Sequence, residues 1–574
     1  MQKHYPKTLI LCVALSLVVF PSSAWATLES DQSPASEEEI SKAFEEGTLS
    51  LEVKETSSDG SSPKAATAKI GAVTATEYAG DSLFETAIAE AKAAYPQGAQ
   101  SAILVSGPGD SWIDALSVAG LAATKGPILF TWKTSLNEAT KQALLDLGVK
   151  SVIIIGGTAA VSEAVVPQLQ EAGIAVESRL AGADCFETQI KIYEYGVKNS
   201  CWAGDIAFVA TAGNYGDALS ISPVAYARKA PIFLTDSTKS LPNAQKDALI
   251  AASTQLGYFG TVVAVGGKDA VAETTLGFLD FISILAKGDG VATRLAGQTQ
   301  YETSSAIAQW AVDTQGFSWN NLAFATGLSP WDALAGSVLQ GSSKSVLLLA
   351  SDYATSTITA AAQHASSINS VRFFGGKAAL PTRVRMGVAD AFGFPYAALP
   401  GFKVYVDAGH GWNDNNAGSY DPGACGNGYE EAALNRELAG MVGNILRNTY
   451  GVETFVNDDG GWYKLRHAEA VAQGCDALVS IHFNSGGGSG TESLIHDYNA
   501  SFLSPPWQGQ IHPRLIEGIG LRDRGQKAQE VAILGGYLPA TLLEICFIDS
   551  GYDMDTYASR KVEIAYKIAE GIVA

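Results

Sequence analysis

The 574-residue sequence predicts an α/β protein: three tandem α/β modules with parallel sheets, followed by a separate α/β domain. Two observations predict this architecture. A pattern of about a hundred residues recurs three times in the middle of the chain, and short Val/Ile/Leu-rich runs alternate with longer amphipathic stretches. Such alternation is typical of strands buried on both faces of a parallel sheet. The length also favours several domains, since single cores stop growing near ~250–300 residues.

The first 26 residues have the pattern of a secretory signal peptide. Lys3 and Lys7 precede an apolar run from Leu9 to Phe20, and Ala24-Trp25-Ala26 fits a small-x-small cleavage site. The run is too short for a membrane anchor, which needs about 20 apolar residues. Residues 27–69 are rich in Ser, Glu, Asp and Lys, which predicts a flexible linker. We therefore expect an exported chain with no transmembrane segment after signal cleavage.

The formal net charge of −21 excludes a general nucleic-acid binder, because such proteins need a basic surface to replace the counterions of phosphate. Cysteine is sparse. Five cysteines lie outside the signal peptide, an odd number without CxxC spacing. A Cys185–Cys201 disulfide is compatible with export. We predict that the fold does not depend on disulfides.

The repeats define three modules by a shared order of landmarks. Each copy opens on a segment that ends in an aromatic residue followed by Glu-Thr, then has an Asp-Ala-Leu tripeptide and, after a β-rich run, a glycine pair. The opening segments are 77–86, 179–188 and 294–303. The modules are predicted to span 70–178, 179–293 and 294–398.

The Asp-Ala-Leu tripeptides place an acidic residue before a predicted helix, at Asp114, Asp217 and Asp332. We expect these carboxylates to cap exposed helix amides. No copy completes a GxGxxG motif or a P-loop, so a nucleotide site is not indicated. Tandem copies are typical of binding modules, because linked weak sites gain avidity.

These landmarks resemble the cell wall binding repeat type 2 family over about residues 70–398. The resemblance implies that three modules attach an exported protein of a Gram-positive bacterium non-covalently to an anionic secondary cell wall polymer. Given the acidic chain, the binding surface is expected to be a locally basic groove. Copy one has Glu77 in place of the opening arginine, and copy three lacks the proline of the Pro-Ile run found in the others.

Two histidines in the last third of the chain lie near the ends of predicted strands. His410 is flanked by glycines after a strand that starts at Lys403, and His482 is near the end of the apolar run 478–484. In parallel α/β sheets, ligands gather outside the carboxyl ends of strands. One such histidine alone is more often a hydrogen-bonded core residue, but the pair favours a metal site.

A third metal ligand is expected from Glu430 or Glu431, at the start of an amphipathic helix. Catalytic zinc takes three protein ligands and keeps a position for water. At 100° per residue, Glu431 lies nearer the centre of the apolar helix face, so Glu431 is the favoured ligand and Glu430 the alternative.

Glu544 is the only carboxylate in the apolar run 541–548. Burying a lone carboxylate is costly, which predicts that Glu544 pairs, coordinates or carries a proton. A general base in a metal site satisfies that need. The alternative is an edge strand with Glu544 facing solvent. The remaining histidines of this region match no motif and are expected at the surface: His467, His496 and His512.

Residues 402–574 resemble the amidase 3 family of N-acetylmuramoyl-L-alanine amidases. The matching motifs are D-A-G-H-G at 407–411, Glu431 with Asn435, Leu465-Arg466, S-I-H-x-N at 480–484 and E-x-x-F-I-D-S from Glu544. The resemblance implies zinc held by His410, Glu431 and His482, with Glu544 as catalytic base. The implied substrate bond joins the lactyl group of muramic acid to the first alanine of the peptidoglycan stem peptide. A longer, Asn-rich loop between His410 and Glu431 departs from the family.

The expected protein is an autolysin-type hydrolase, secreted to the wall or surface of a Gram-positive bacterium, with its zinc amidase domain anchored by the three modules. Two alternatives remain open at this point. One is a surface adhesin with an inactive amidase-like domain. The other is a zinc peptidase acting on the stem peptide, which the E-x-x-F-I-D-S strand disfavours.

Overall fold

The computed structural model describes residues 73–574, apart from 110, 111, 289 and 459. The predicted signal peptide (1–26) and linker (27–69) lie outside the described residues. Within the described part, the predicted α/β class is confirmed, with repeated parallel sheets followed by a separate α/β domain.

The repeat region alternates strands and helices. The first copy contains β1 (Thr74–Tyr78), α1 (Leu83–Ala94), β2 (Ser101–Ser106), α2 (Trp112–Ala115), α3 (Ala119–Lys125), β3 (Ile128–Thr131), α4 (Glu138–Asp146), β4 (Ser151–Ile155) and α5 (Val165–Glu171). The second contains β5 (Ala175–Leu180), α6 (Cys185–Lys198), β6 (Ile206–Thr211), α7 (Gly216–Arg228), β7 (Ile232–Thr235), α8 (Asn243–Ala251), β8 (Thr261–Val265) and α9 (Glu273–Lys287). The third contains β9 (Thr293–Leu295), α10 (Gln300–Gln315), β10 (Ser318–Thr326), α11 (Trp331–Ser343), β11 (Ser345–Ala350), α12 (Ser356–Ala362), β12 (Ser370–Phe374) and α13 (Thr382–Phe392).

Each opening strand pairs with the sheet of another copy, so the three copies close into a ring. The strand orders are β3-β2-β4-β5, β7-β6-β8-β9 and β1-β12-β10-β11, all parallel. Strand β1 therefore completes the sheet of the third copy, in a register that runs from Thr74↔Ser370 to Tyr78↔Phe374. The proposed module starts at 179 and 294 follow the sequence repeat, and strands β5 and β9 cross them.

Helices α3, α7 and α11 pack on one another where the copies meet. All three contain runs of buried small or apolar residues, and one continuous apolar core runs through all three copies. Burying this surface stabilises the ring by about 25 cal/mol per Å² of apolar area removed from water.

The repeated aspartates do not cap their helices, which corrects the expectation above. Asp217 and Asp332 lie inside the first turns of α7 and α11, whose capping positions make no side-chain hydrogen bond. Their carboxylates instead lie against the glycine pair that ends the third core strand of each copy. A Cβ on Gly266 would lie 2.2 Å from Asp217 Oδ2, and a Cβ on Gly375 would lie 2.4 Å from Asp332 Oδ2. Glycine is required at both positions because of this close approach.

The opening arginines hold the same glycine turns. Arg179 Nη1 donates to Gly156 O at 3.2 Å and to Val161 O at 2.8 Å, and Arg294 Nη1 donates to Gly266 O at 2.9 Å. These contacts tie the opening strand of one copy to the turn of the copy before it.

Arg385 supplies the missing arginine where the ring closes. From α13 it donates through Nη2 to Gly375 O at 3.0 Å and through Nε to Leu380 O at 2.8 Å, the counterparts of the carbonyls that Arg179 contacts. The same Nη2 donates to Glu77 Oε1 at 2.6 Å. The arginine contact with the glycine turn is therefore kept although Glu77 stands in place of the opening arginine, because the guanidinium comes from α13 instead of from the opening strand.

The C-terminal domain is a separate α/β unit. Its elements are β13 (Lys403–Ala408), β14 (Gly411–Trp412), β15 (Tyr420–Asp421), β16 (Cys425–Gly426), β17 (Tyr429–Glu430), α14 (Glu431–Asn448), β18 (Glu453–Asn457), α15 (Arg466–Ala472), β19 (Ala477–Asn484), β20 (Thr491–Ile495), α16 (Ser504–Ile519), β21 (Asp523–Ala528), β22 (Ala540–Phe547) and α17 (Gly551–Val573). Six of the strands form one sheet in the order β18-β13-β19-β22-β20-β21, which is parallel except between β20 and β22.

This domain packs directly on the third repeat. Asp476 is buried at the junction, where its carboxylate accepts hydrogen bonds from Lys377 Nζ at 2.7 Å, Thr382 Oγ1 at 2.5 Å and Lys403 N at 2.8 Å. Beside it, the Arg383 guanidinium stacks over the rings of two residues of the C-terminal domain, Phe502 and Tyr537. The junction is therefore a polar and aromatic interface rather than a bare linker.

All five cysteines in the described part of the chain are free thiols, so Cys185 and Cys201 form no disulfide. Among the described residues, no helix combines the length and the apolar character that a membrane span requires.

Candidate metal centre and catalytic cleft

Two histidines meet at the carboxyl ends of adjacent parallel strands, β13 and β19. The ring centroids of His410 and His482 lie 5.0 Å apart. His410 has a φ of +66°, a left-handed conformation that is uncommon for a side chain and that turns the chain out of β13. Gly409 allows this approach, because a Cβ there would lie 2.2 Å from the His482 ring.

Glu431 joins the two histidines through one carboxylate oxygen. Its Oε1 lies 3.2 Å from His410 Nε2 and 3.0 Å from His482 Nδ1. The backbone N–H of Phe483 donates to Oε1, and that of Ala424 donates to Oε2 at 2.8 Å. Glu431 begins α14 and is buried, so these two amides fix the carboxylate that faces the histidines.

Glu430 lies in β17, half-buried, and is not part of this cluster. Successive residues at the junction of a short strand and a helix point in different directions. The structure therefore brings Glu431 together with the histidines and leaves Glu430 outside.

The electrostatics of the cluster follow from its burial and close contacts. Burial by itself would lower the pKa of His410, but hydrogen bonds and charge from Glu431 and Asp421 outweigh burial and raise the pKa to about 9. Burial would raise the pKa of Glu431, but the two histidines hold it well below the usual range of a carboxyl. Glu431 is therefore an anion at neutral pH.

These three residues fit a zinc ion by their donor set and spacing. Two imidazole nitrogens and one carboxylate oxygen are ligand types that zinc prefers. The three donor atoms lie within 4.8 Å of one another, with one glutamate oxygen close to both rings.

Glu544 lies on β22 directly beside His482, in the register His482↔Glu544. Strand β22 is an interior strand of the sheet, so the alternative of a solvent-facing edge strand is wrong. Glu544 Oε2 is buried and has no hydrogen-bond partner among the described residues. Burial raises its pKa to about 7, with the His482 ring acting in the opposite direction. A carboxyl with such a pKa can both take up and release a proton near neutral pH.

A second carboxylate orients His410 from its other side. Asp421 Oδ2 lies 3.3 Å from His410 Nδ1, and Asp421 is itself held by Asn415 Nδ2 at 3.0 Å and by Gly423 N at 2.9 Å. This contact favours the His410 tautomer that carries its proton on Nδ1 and leaves Nε2 for a metal. Sequence reasoning missed Asp421, although it lies in the long loop that departs from the family pattern.

Arg466 and Asn435, both motif residues, hold the backbone around His410. The buried Arg466 guanidinium donates to His410 O at 2.9 Å and to the carboxylates of Asp407 at 2.9 Å and Asp414 at 2.5 Å. Asn435 Nδ2 donates to the carbonyl of the preceding Gly409 at 2.9 Å. Both side chains therefore keep the strained histidine loop in place.

The other three histidines of the domain are buried, which corrects the expectation of surface roles. His467 Nε2 accepts from Leu538 N at 3.1 Å, and its Nδ1 faces Ile533 O at 3.2 Å. Burial lowers the pKa of His467, which keeps it neutral. His496 and His512 are also buried, with 5% and 3% of their surfaces exposed, and neither belongs to the cluster of His410, Glu431 and His482. All three are structural side chains.

Beside the cluster lies an open cleft of about 640 Å³. His482 and Glu544 lie on one side of it, and the glycine-rich loop 486–488, Glu492 and Arg524 line the rest. The cleft is polar and opens beside the side chains of His482 and Glu544.

Comparison with known families agrees with this arrangement. The model of the N-acetylmuramoyl-L-alanine amidase family matches residues 404–574, and the model of cell wall binding domain 2 matches residues 77–166, 179–276 and 294–385. The N-acetylmuramoyl-L-alanine amidase LytC of Bacillus subtilis is 28% identical over 495 residues, covering 85% of this chain and 90% of that protein. The uncharacterized protein YqiI of Bacillus subtilis is 32% identical over 180 residues, covering 30% of this chain and 83% of that protein.

Among solved structures, Cwp6 from Clostridium difficile aligns with a TM-score of 0.48 and 23% identity over 90% of this chain and 82% of that one. The fold and the site define an α/β hydrolytic domain carried by a ring of repeats. The chain belongs to the N-acetylmuramoyl-L-alanine amidases that carry three cell wall binding domain 2 repeats.

Proposed function

We propose that this chain is an exported, zinc-dependent amidase that cleaves the bond between N-acetylmuramic acid and L-alanine in peptidoglycan. His410, Glu431 and His482 hold the zinc, and Glu544 is the catalytic base. The observation that carries the proposal is the contact of Glu431 Oε1 with both histidines, beside a buried Glu544, in a domain of the amidase family.

The mechanism assigns separate tasks to these side chains. A zinc ion supplies Lewis-acid chemistry to the scissile carbonyl when bound. Glu544 takes a proton from the attacking water and returns it to the nitrogen of the leaving alanine. Its buried Oε2 suits both steps, because no hydrogen bond from the described residues competes for the proton.

The repeat ring holds the enzyme at the wall, where its partner is an anionic secondary wall polymer. The adhesin alternative has less support, because Glu431 contacts both His410 and His482 and Glu544 lies beside His482. The stem-peptide peptidase alternative predicts different products, and product analysis separates it from the amidase.

The proposed activity is tested by digesting purified peptidoglycan with the full chain and identifying the products by mass spectrometry. Intact stem peptides with a free N-terminal alanine are the expected products. Glu544→Gln is expected to lower kcat by about 10²–10⁴-fold while zinc content stays unchanged. Glu430→Gln is the matched control and should retain zinc and activity. Cleavage within the stem peptide, or full activity in Glu544→Gln, would contradict the proposal.

Wall binding is tested with the Glu544→Gln full chain, which leaves the wall undigested. It should sediment with purified walls and stay in solution when the anionic polymer has been extracted from them. Equal sedimentation with both preparations would exclude the anionic polymer as the partner.

A further inference from the structure

Four adjacent strands of the C-terminal sheet carry a row of polar side chains along the cleft. His482 on β19 is opposite Glu544 on β22, and Glu544 is opposite Glu492 on β20. Directly opposed residues project from the same face of a sheet. The row ends with Arg524 on β21, and all four side chains line the cleft of about 640 Å³.

A β-bulge directs Arg524 into the cleft. The pairing of β20 with β21 passes from Thr491↔Asp523 to Ser493↔Gln526, so Arg524 and Gly525 together oppose Glu492. Gly525 has a φ of +92°, which fits the extra residue of a bulge. Bulges near active sites re-aim side chains, and this one lies at the edge of the cleft.

The charges at this end of the cleft are unequal. Arg524 Nε and Lys527 Nζ both donate to Glu492 Oε2 at 2.6 Å, and Asn484 Nδ2 donates to Glu492 Oε1 at 3.2 Å. Two cations therefore share one carboxylate. Within the described part of the chain, the terminal Nη1 and Nη2 groups of Arg524 make no hydrogen bond. The guanidinium lies 4.8 Å from the Phe547 ring centroid, which restricts its plane.

We propose that Arg524 binds a carboxylate of the substrate's stem peptide and so selects acidic peptides in the cleft. This inference rests on the proposed amidase function and names a specificity residue within it. Paired guanidinium N–H groups match a carboxylate in a bidentate geometry. Glu492 and Lys527 are positioning residues. Glu492 fixes Nε of Arg524, and Lys527 balances the negative charge of Glu492.

The spacing along the row indicates which carboxylate is bound. Arg524 is two strands away from Glu544, or about 10 Å at ~4.8 Å per strand. An extended peptide covers that distance in about three residues at ~3.3 Å each. The bound group is therefore a carboxylate on the second or third residue after the cleaved amide.

The test compares two synthetic N-acetylmuramoyl peptides that differ only in whether the carboxyl groups of their second and third residues are free or amidated. The zinc-loaded full chain is assayed for release of the N-terminal alanine amine. The wild type should prefer the free acid by about 10-fold or more in kcat/KM, mainly through KM. Arg524→Gln should abolish this preference, mainly by raising KM for the free acid.

Arg522→Gln, two residues away and exposed, is the matched control and should keep the preference. Arg524→Lys keeps the charge without the bidentate geometry and should recover part of it. An unchanged preference in Arg524→Gln, an equal loss on both peptides, or no preference in the wild type would overturn the assignment. Failure of the wild type on both peptides would instead overturn the amidase function itself.

Discussion

His410 is contacted from two sides, and each contact sets a different property. Glu431 faces Nε2, the nitrogen proposed for zinc, whereas Asp421 faces Nδ1. The loop that supplies Asp421 also brings Asn415 to the same carboxylate. The loop between His410 and Glu431 therefore contributes directly to the orientation of one of the proposed zinc ligands.

We expect Asp421→Asn to weaken zinc binding by about 10–100-fold, because an amide orients the imidazole less strongly than a carboxylate does. Competition with a chromogenic chelator measures the affinity without any activity assay. Asp458→Asn changes an exposed carboxylate of the same domain and should leave zinc affinity unchanged. An affinity equal to that of the wild type in Asp421→Asn would show that Asp421 does not orient the ligand.

At the scale of elements, the junction between β1 and α13 differs from the other two junctions. Elsewhere an arginine on the opening strand reaches the preceding glycine turn, whereas here Arg385 reaches it from the helix and pairs with Glu77. Arg385 is 2% exposed, so its contacts are made away from solvent.

Arg385→Gln is expected to lower the free energy of unfolding of the ring by about 3 kcal/mol, because it leaves Glu77 and two carbonyls without their cation. Urea unfolding followed by circular dichroism measures the change. The double variant Glu77→Arg/Arg385→Leu recreates the second junction, because Leu276 follows its glycine pair at the same distance in sequence as Arg385 follows the third glycine pair. This variant should recover most of the lost free energy of unfolding. Arg228→Gln removes an exposed pair with Asp205 and should cost under about 1 kcal/mol. No recovery in the double variant would contradict this account.

The buried aspartates of the repeats give stability a specific pH dependence. Burial raises the pKa of Asp217 to about 6 and that of Asp332 to about 7, from 3.8. Between the unfolded pKa of 3.8 and these raised values, the folded state therefore binds more protons than the unfolded state. The free energy of unfolding consequently falls as pH rises from about 4 to 7. Glu90, whose pKa is raised by burial and by Asp332, acts in the same direction.

Each aspartate should contribute a loss on the order of 2–4 kcal/mol across this interval. Urea midpoints measured from pH 4 to 7.5 should therefore decrease with pH, and Asp332→Asn should flatten the curve. Asp313→Asn removes an exposed carboxyl of the same copy and should leave the slope as it is. A slope that is the same in Asp332→Asn and the wild type would contradict the prediction.

At the scale of the whole molecule, the amidase domain and the ring share an interface centred on Asp476. This buried carboxylate links Lys377 and Thr382 of the third repeat to the backbone of Lys403 at the start of β13. These contacts therefore fix the orientation of the cleft relative to the ring of repeats, which is the part proposed to bind the cell wall.

Asp476→Ala is expected to uncouple the two parts, because it leaves the Lys377 ammonium and the Thr382 hydroxyl without their acceptor. Calorimetry of the full chain should then resolve two transitions in place of one, and proteolysis should be faster near residues 398–402. Asp146→Ala breaks an exposed pair with Lys92 and serves as the control. A single unshifted transition in Asp476→Ala would show that the interface does not couple the domains.

The sequence by itself determined the fold class, the threefold repeat and the residues proposed for the metal site, because each is encoded locally. Strand periodicity, repeated landmarks and polar residues within apolar runs all appear within short windows of sequence. His410, His482 and Glu544 were predictable for this reason, as was the preference for Glu431 over Glu430.

Only the tertiary structure decided which distant groups meet. Asp421 beside His410, Arg385 in place of an opening arginine, the aspartates against glycine turns and the bulge at Arg524 all depend on contacts between separate elements. The buried state of His467, His496 and His512 was missed for the same reason. Local sequence specifies the direction of a side chain along its own strand or helix, whereas its partner is specified by how the elements pack.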